Sequence, residues 1–132
     1  MDNTFSFKLS DFRDALATLE EAVSMEKNDI VRDSVIKRFE YTHELSWKTA
    51  KLYLRERYGK DVFSPKECFR ELRRQGTLSD EETELSLTMC DDRNDSIHTY
   101  KEALAEELYA KIASLYAGLL RKIFERVEGI KS

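Results

Sequence analysis

One stretch of the chain does most to limit what it can fold into. Val31, Val35, Phe39, His43, Trp47, Ala50 and Leu54 follow one another in steps of four, with a single step of three. That spacing lays them along one face of an α-helix. Ile36, Leu45 and Leu52 widen the same face. Asn28 or Asp29 can cap the start, and Gly59 follows the last periodic residue as a natural terminator. The pattern predicts one long helix over Asp29–Tyr58, broad enough in its apolar face to need other helices around it.

The remaining segments supply them. A first helix is expected from Ser10, with Phe12, Ala15, Leu16, Leu19, Ala22 and Val23 on one stripe. Phe5-Ser6-Phe7 is left open as an N-terminal arm. Ser64, Pro65 and Glu67 form a start signal for a third helix, which ends at Gly76. Ser79 caps a short fourth helix, with Asp80, Glu81 and Glu82 set against its positive end and Leu78, Leu85 and Met89 facing inward. A final helix is expected from Thr99, capped by that hydroxyl with Glu102 reaching back, and ending near Gly129. Leu104, Leu108, Leu115, Leu119 and Ile123 form its first stripe, and Ile112, Tyr116 and Val127 a second. The sum is an all-α fold: an antiparallel up-and-down bundle of three long helices plus two short ones, one domain over residues 1–132. A charged fraction of 36% with one proline and four glycines suits long solvated helices.

The inventory also excludes. No apolar run reaches the ~20 residues that span a bilayer. Met1-Asp2-Asn3-Thr4 lacks the basic-then-apolar layout of a signal peptide. Cys68 and Cys90 read as two reduced thiols in a cytoplasmic protein. Together with His43 and His98 they have no metal-ligand spacing, so neither metal nor cofactor is expected. Glycine-rich phosphate loops are absent, as is the paired-aspartate pattern that holds catalytic metals in a nucleotidyltransferase. The net charge of −4 argues against a general nucleic-acid coat but leaves room for a local basic face.

The densest chemistry lies in Asp92-Arg93-Asn94-Asp95-Ser96-Ile97-His98-Thr99-Tyr100. Histidine moves protons near neutral pH, and arginine holds phosphate through a planar fork of donors. Together they point to a phosphodiester. On a continuous helix Arg93 and His98 would face apart, while Asn94 and His98 would share a face. The pair can meet only if the chain bends between them or if two copies meet there. The plainer alternative makes Asp91, Asp92, Asn94 and Asp95 loop residues, His98 a surface residue and Tyr100 a packing residue. His43, between Phe39 and Trp47, reads as a satisfied, half-buried core or interface histidine rather than a functional one. Lys66, Arg70, Arg73 and Arg74 form a basic stripe, either a solvated face or a contact for RNA phosphates or an acidic partner.

Arg93-x4-His98-x-Tyr100 ahead of a last long helix resembles the HEPN superfamily. More narrowly, the chain is similar to the nucleotidyltransferase substrate-binding proteins, which are themselves similar to HepT toxins. Arg38-Phe39-Glu40-Tyr41-Thr42-His43-Glu44-Leu45-Ser46-Trp47-Lys48 resembles the family's signature on its second helix. Ser64-Pro65-Lys66-Glu67 with Phe69-Arg70-Glu71 resembles its short third helix. The resemblance implies a homodimer whose two motifs face each other in a cleft, partnered by a minimal nucleotidyltransferase encoded nearby. It implies a metal-independent endoribonuclease toxin with Arg93 and His98 as the catalytic pair and Asn94 as a polar helper. Tyr100 would be the residue that receives AMP. The alternative is a non-catalytic subunit that presents substrate to a nucleotidyltransferase; a third is a helical scaffold that keeps the motif for dimer packing.

Overall fold

The structure is a computed structural model that describes residues 3–129. Met1, Asp2 and residues 130–132, which the N-terminal and domain readings include, lie outside them. Among the described residues there is no strand. The elements are α1 (Thr4–Ser24), α2 (Asp29–Tyr58), α3 (Pro65–Arg74), α4 (Asp80–Asp95), a 3-10 turn (Ser96–His98) and α5 (Glu102–Lys111). A π-helical turn (Ile112–Tyr116) then carries α5 without a break into α6 (Ala117–Glu128).

Side-chain contacts fix the directions. Thr49 Oγ1 donates to Lys8 O at one end of α2, and Arg38 Nη1 to Thr18 O further back, so α1 runs antiparallel to it. Tyr53 pairs with Thr77 ahead of α4, and Glu40 with Ser96 behind it, so α4 is antiparallel too. Arg32 meets Glu102 and Glu106 near the starts of α2 and α5, while Phe39 stacks on Tyr116. The last helix therefore runs parallel to α2. This is the up-and-down helical bundle that the periodicity predicts, with α3 packed across α2 and α4.

Local chemistry explains most boundaries. Asn28 Oδ1 accepts from Val31 N at 2.8 Å, and Gly59 takes a left-handed φ of 64° that lets α2 stop there. Ser64 accepts from Glu67 N, while the Glu67 carboxylate accepts from Phe63 N rather than from the cap itself. Ser79 and Glu82 make a reciprocal capping box. Three boundaries depart from the sequence reading. α1 begins at Thr4, so Phe5-Ser6-Phe7 is its first turn: Leu9 is buried and Phe5 half-buried, extending the stripe backwards. α4 is 16 residues long rather than short. The last helix begins at Glu102, because the Thr99 hydroxyl donates back to Ser96 O instead of capping forward.

The core is a single cluster in which Phe12, Leu16, Leu19, Phe39, Leu54, Phe69, Leu72 and Tyr116 are among the wholly buried side chains. On the last helix, Leu104 and Leu115 of the expected stripe stand 40% and 47% exposed. Ala105, outside both expected stripes, is buried instead, while Ile112, Tyr116 and Val127 are buried as expected, the first two in the π turn that adds a residue to the helical repeat. Among the described residues no helix is long and apolar enough to cross a membrane.

Candidate functional site

The end of α4 and the turn into α5 carry the Arg93–Tyr100 motif. Aspartate and asparagine usually leave a helix early because their side chains compete for the backbone. Here Asp92 and its neighbour are tied down from outside. Asp92 accepts a very short hydrogen bond from Tyr116 Oη and sits 3.2 Å from Lys111 Nζ, and Asp91 lies 2.6 Å from Lys66 Nζ. Burial, with Asp92 as the next cause, raises the Tyr116 pKa, so its hydroxyl stays protonated as a donor. Those anchors carry the helix through Arg93 and Asn94. The chain then tightens into the 3-10 turn, and Lys101 N donates to His98 O at 3.0 Å before α5 starts.

Arg93 lies against α2. Its Nη1 donates to Ser96 Oγ at 3.2 Å and stands 3.9 Å from Glu40 Oε2. Ser96 Oγ donates in turn to Glu40 Oε2 at 2.5 Å. Arg93 Nε is buried without a hydrogen-bond partner. His43, one turn beyond Glu40 on α2, is 2% exposed between Phe39 and Phe69, and neither ring nitrogen has a partner. The core placement expected for His43 holds, but the ring is fully rather than half buried and its nitrogens are not hydrogen-bonded. Desolvation first, and the charge of Arg93 second, lower the His43 pKa to about 4, so the imidazole is neutral at physiological pH.

His98 sits on the outer side of the junction. Its ring meets Tyr100 edge-on, with centroids 6.2 Å apart and planes at 66°. It lines a groove of about 360 Å³ between the 3-10 turn and α5, together with Asp92, Asp95, Glu107, Lys111 and Leu104. Ile97 and Tyr100 are 70% and 77% exposed. Tyr100 precedes the last helix instead of lying in its first turn, and it does not pack on the core. Asn94 is exposed on the last turn of α4. Within one chain the bend after Asp95 does not join the pair: Arg93 donates to Ser96 beside the Glu40 carboxylate, and His98 faces the groove.

The basic stripe is largely paired internally. Lys66 meets Asp91, Arg73 meets Asp80 at 2.5 Å and Arg74 meets Glu71 at 3.0 Å. Among the described residues Arg70 is the member of the four without an ion pair. Elsewhere Asp29, Glu102 and Glu106 bring carboxylate oxygens within 4.8 Å of one another. The cation among them is the Arg32 guanidinium, at 3.6, 3.5 and 3.3 Å from the three. Cys68 and Cys90 are buried free thiols, and burial raises both pKa values, that of Cys90 to about 12. They are poor nucleophiles.

Sequence reading missed Glu40, Ser96 and the Asp92–Tyr116–Lys111 link. Ser96 stands three residues after Arg93, a spacing at which side chains meet on a helix, and was the one available signal.

Residues 7–129 match the family model described as nucleotidyltransferase substrate binding protein like. The chain belongs to that family. No curated protein matches it. Its fold is similar to that of a Thermus thermophilus protein of known crystal structure, 42% identical, with a TM-score of 0.83 over 88% of this chain and 98% of that one. It is also similar to a tri-AMPylated Shewanella oneidensis HEPN toxin in complex with an MNT antitoxin. That match is 14% identical, with a TM-score of 0.76 over 98% of this chain and 99% of the toxin. A toxin–antitoxin chain crystallised with AMP-PNP gives 14% identity and a TM-score of 0.74 over 96% and 99%. This chain thus shares the fold of those toxin–antitoxin chains along nearly its whole length.

Proposed function

We propose that this chain is the HEPN-type toxin of a two-protein module, a metal-independent endoribonuclease that a minimal nucleotidyltransferase silences by transferring AMP to Tyr100. The observation that carries the reading is the α4–α5 junction, which carries Arg93, His98 and Tyr100 close in sequence, with Arg93 turned in against Glu40 and Ser96 and with His98 and Tyr100 exposed on the outside. The HEPN toxin that shares the fold is AMPylated and bound to an MNT antitoxin, which supports both the partner and the modification.

RNA supplies its own nucleophile in the 2′-hydroxyl. Cleavage then needs a proton taken from that oxygen, a proton given to the leaving 5′-oxygen, and charge stabilisation on the phosphorane. His98 is exposed and can exchange protons, a contribution of ~10²–10⁴-fold. Arg93 can hold the extra negative charge. Because one chain keeps the two side chains apart, the reading requires a homodimer. Each protomer's Arg93 would then work with its partner's His98, and the two histidines would divide the base and acid roles. Ile97 and Leu104 are exposed apolar side chains at the junction and suit such a contact, while Tyr100 stays open to the modifying partner. RNA phosphates would approach along Asn94 and Arg70. Cytoplasmic residence fits the two unbonded cysteines.

Separation in one chain also favours a second reading, a substrate-binding subunit without cleavage activity. Intact-mass measurement after incubation with the partner and ATP tests the regulatory half. Wild type should gain AMP and Tyr100→Phe should not. Equal gain in both, or none in either, removes Tyr100 from the account. Light scattering should report about twice the 15.5 kDa chain mass, and a strict monomer would leave only the binding-subunit reading.

A further inference from the structure

We propose that Glu40, acting through Ser96, is the positioning residue that fixes the Arg93 guanidinium with its Nη2 edge turned outward for a phosphodiester oxygen. This deepens the ribonuclease reading and rests on it for its activity readout.

The geometry divides the three guanidinium nitrogens. Nη1 is bonded to Ser96 Oγ and lies beside Glu40. Nε is buried with no partner. Nη2 makes no hydrogen bond among the described residues and is not enclosed, so it is the edge left for a ligand. Ser96 is 2% exposed and links the two side chains: its Oγ accepts from Arg93 Nη1, and its single hydroxyl proton is shared between Glu40 Oε2 at 2.5 Å and Arg93 O at 2.7 Å. At 3.9 Å the Glu40 carboxylate is too far for a direct hydrogen bond to Nη1, so it balances charge without occupying the donor fork. A carboxylate bonded bidentately to Arg93 would block phosphate; one held back by a serine orients the arginine and leaves its outer edge free.

The surroundings make that contact the determinant of where Arg93 stands. Its side chain is 30% exposed, and its inner face lies near neutral His43 among Phe39 and Phe69. Glu40 is the carboxylate that Arg93 reaches among the described residues. Without it a partly buried cation would face an apolar wall and a buried imidazole, and the guanidinium would move toward water.

Glu40→Gln and Glu40→Ala in the full chain test this with two readouts. The first is the imidazole titration by NMR, which is simple because the chain has two histidines. Burial first, and the charge of Arg93 second, depress the His43 pKa, so an arginine that swings away should remove the second contribution and let the His43 titration move part of the way upward, most in Glu40→Ala. The second is RNA cleavage. Glu40→Ala should lose on the order of 10²-fold in kcat with little change in KM, as expected for a misplaced transition-state group. Glu40→Gln keeps an acceptor for Ser96 and should lose less. Unchanged or faster cleavage in both variants with an unmoved His43 titration overturns the proposal, a faster rate meaning that Glu40 competes for Arg93. If wild type cuts no RNA, the ribonuclease reading fails, while the titration still decides whether Glu40 sets Arg93.

Discussion

Phe39, midway along α2, is wholly buried and stacks on Tyr116 with centroids 5.6 Å apart. His98, at the junction of α4 and α5, is exposed, and its neighbours Ile97 and Tyr100 are 70% and 77% exposed. The α1–α2 hairpin is specified by burial and caps. The junction is specified by polar anchors at its base, Asp92 on Tyr116 and Ser96 on Glu40, and leaves His98 and Tyr100 exposed outside. Burial therefore weighs most on the hairpin and least on the exposed turn, with Tyr116 joining the two: its ring stacks on Phe39 and its hydroxyl holds Asp92.

The largest effect expected tests that contrast directly. Phe39→Ala should cost about 3–5 kcal/mol in denaturant unfolding, the range for emptying a packed aromatic site. His98→Ala should stay within about 0.5 kcal/mol. Comparable losses would mean that the junction is part of the core after all.

Next comes pH. His43 has a folded pKa of about 4 against 6.5 for the free side chain. The fold holds it neutral, while the unfolded chain takes up a proton as pH falls through 6.5. Its contribution is fully present above that value and is lost on the way down to about 4, a change of up to about 3 kcal/mol. His43→Phe should flatten the stability curve between those limits. An equally steep curve in the variant would place the titrating group elsewhere.

A smaller effect reaches the junction through its helix. Ser79→Ala removes half of the capping box of α4 and should cost ~1 kcal/mol. Because the opposite end of α4 is anchored by Asp92, the Tyr116 hydroxyl should remain protected in NMR exchange even as the first turn frays.

The same contrast governs how much could be read from the chain. The bounds of α2 were legible because Asn28 and Gly59 act locally, within one turn of the helix ends. Ser64 and Ser79 were legible for the same reason. The start of α1 was not, since Asn3 makes no side-chain cap and only the burial of Leu9 shows where the stripe begins. The length of α4 was hidden because Asp91, Asp92, Asn94 and Asp95 look like loop residues. Their helical state depends on Lys66, Lys111 and Tyr116, distant in sequence. The motif residues were visible as residue types. Their arrangement was not, because Glu40 lies 56 positions from the Ser96 it binds.

If this junction is a metal-independent ribonuclease site, the purified chain cleaves RNA in EDTA. Wild type should cut RNA and leave 2′,3′-cyclic phosphate ends, and His98→Ala should abolish cutting while keeping its helical circular dichroism. Strict dependence on magnesium, or undiminished cleavage in His98→Ala, would contradict the account.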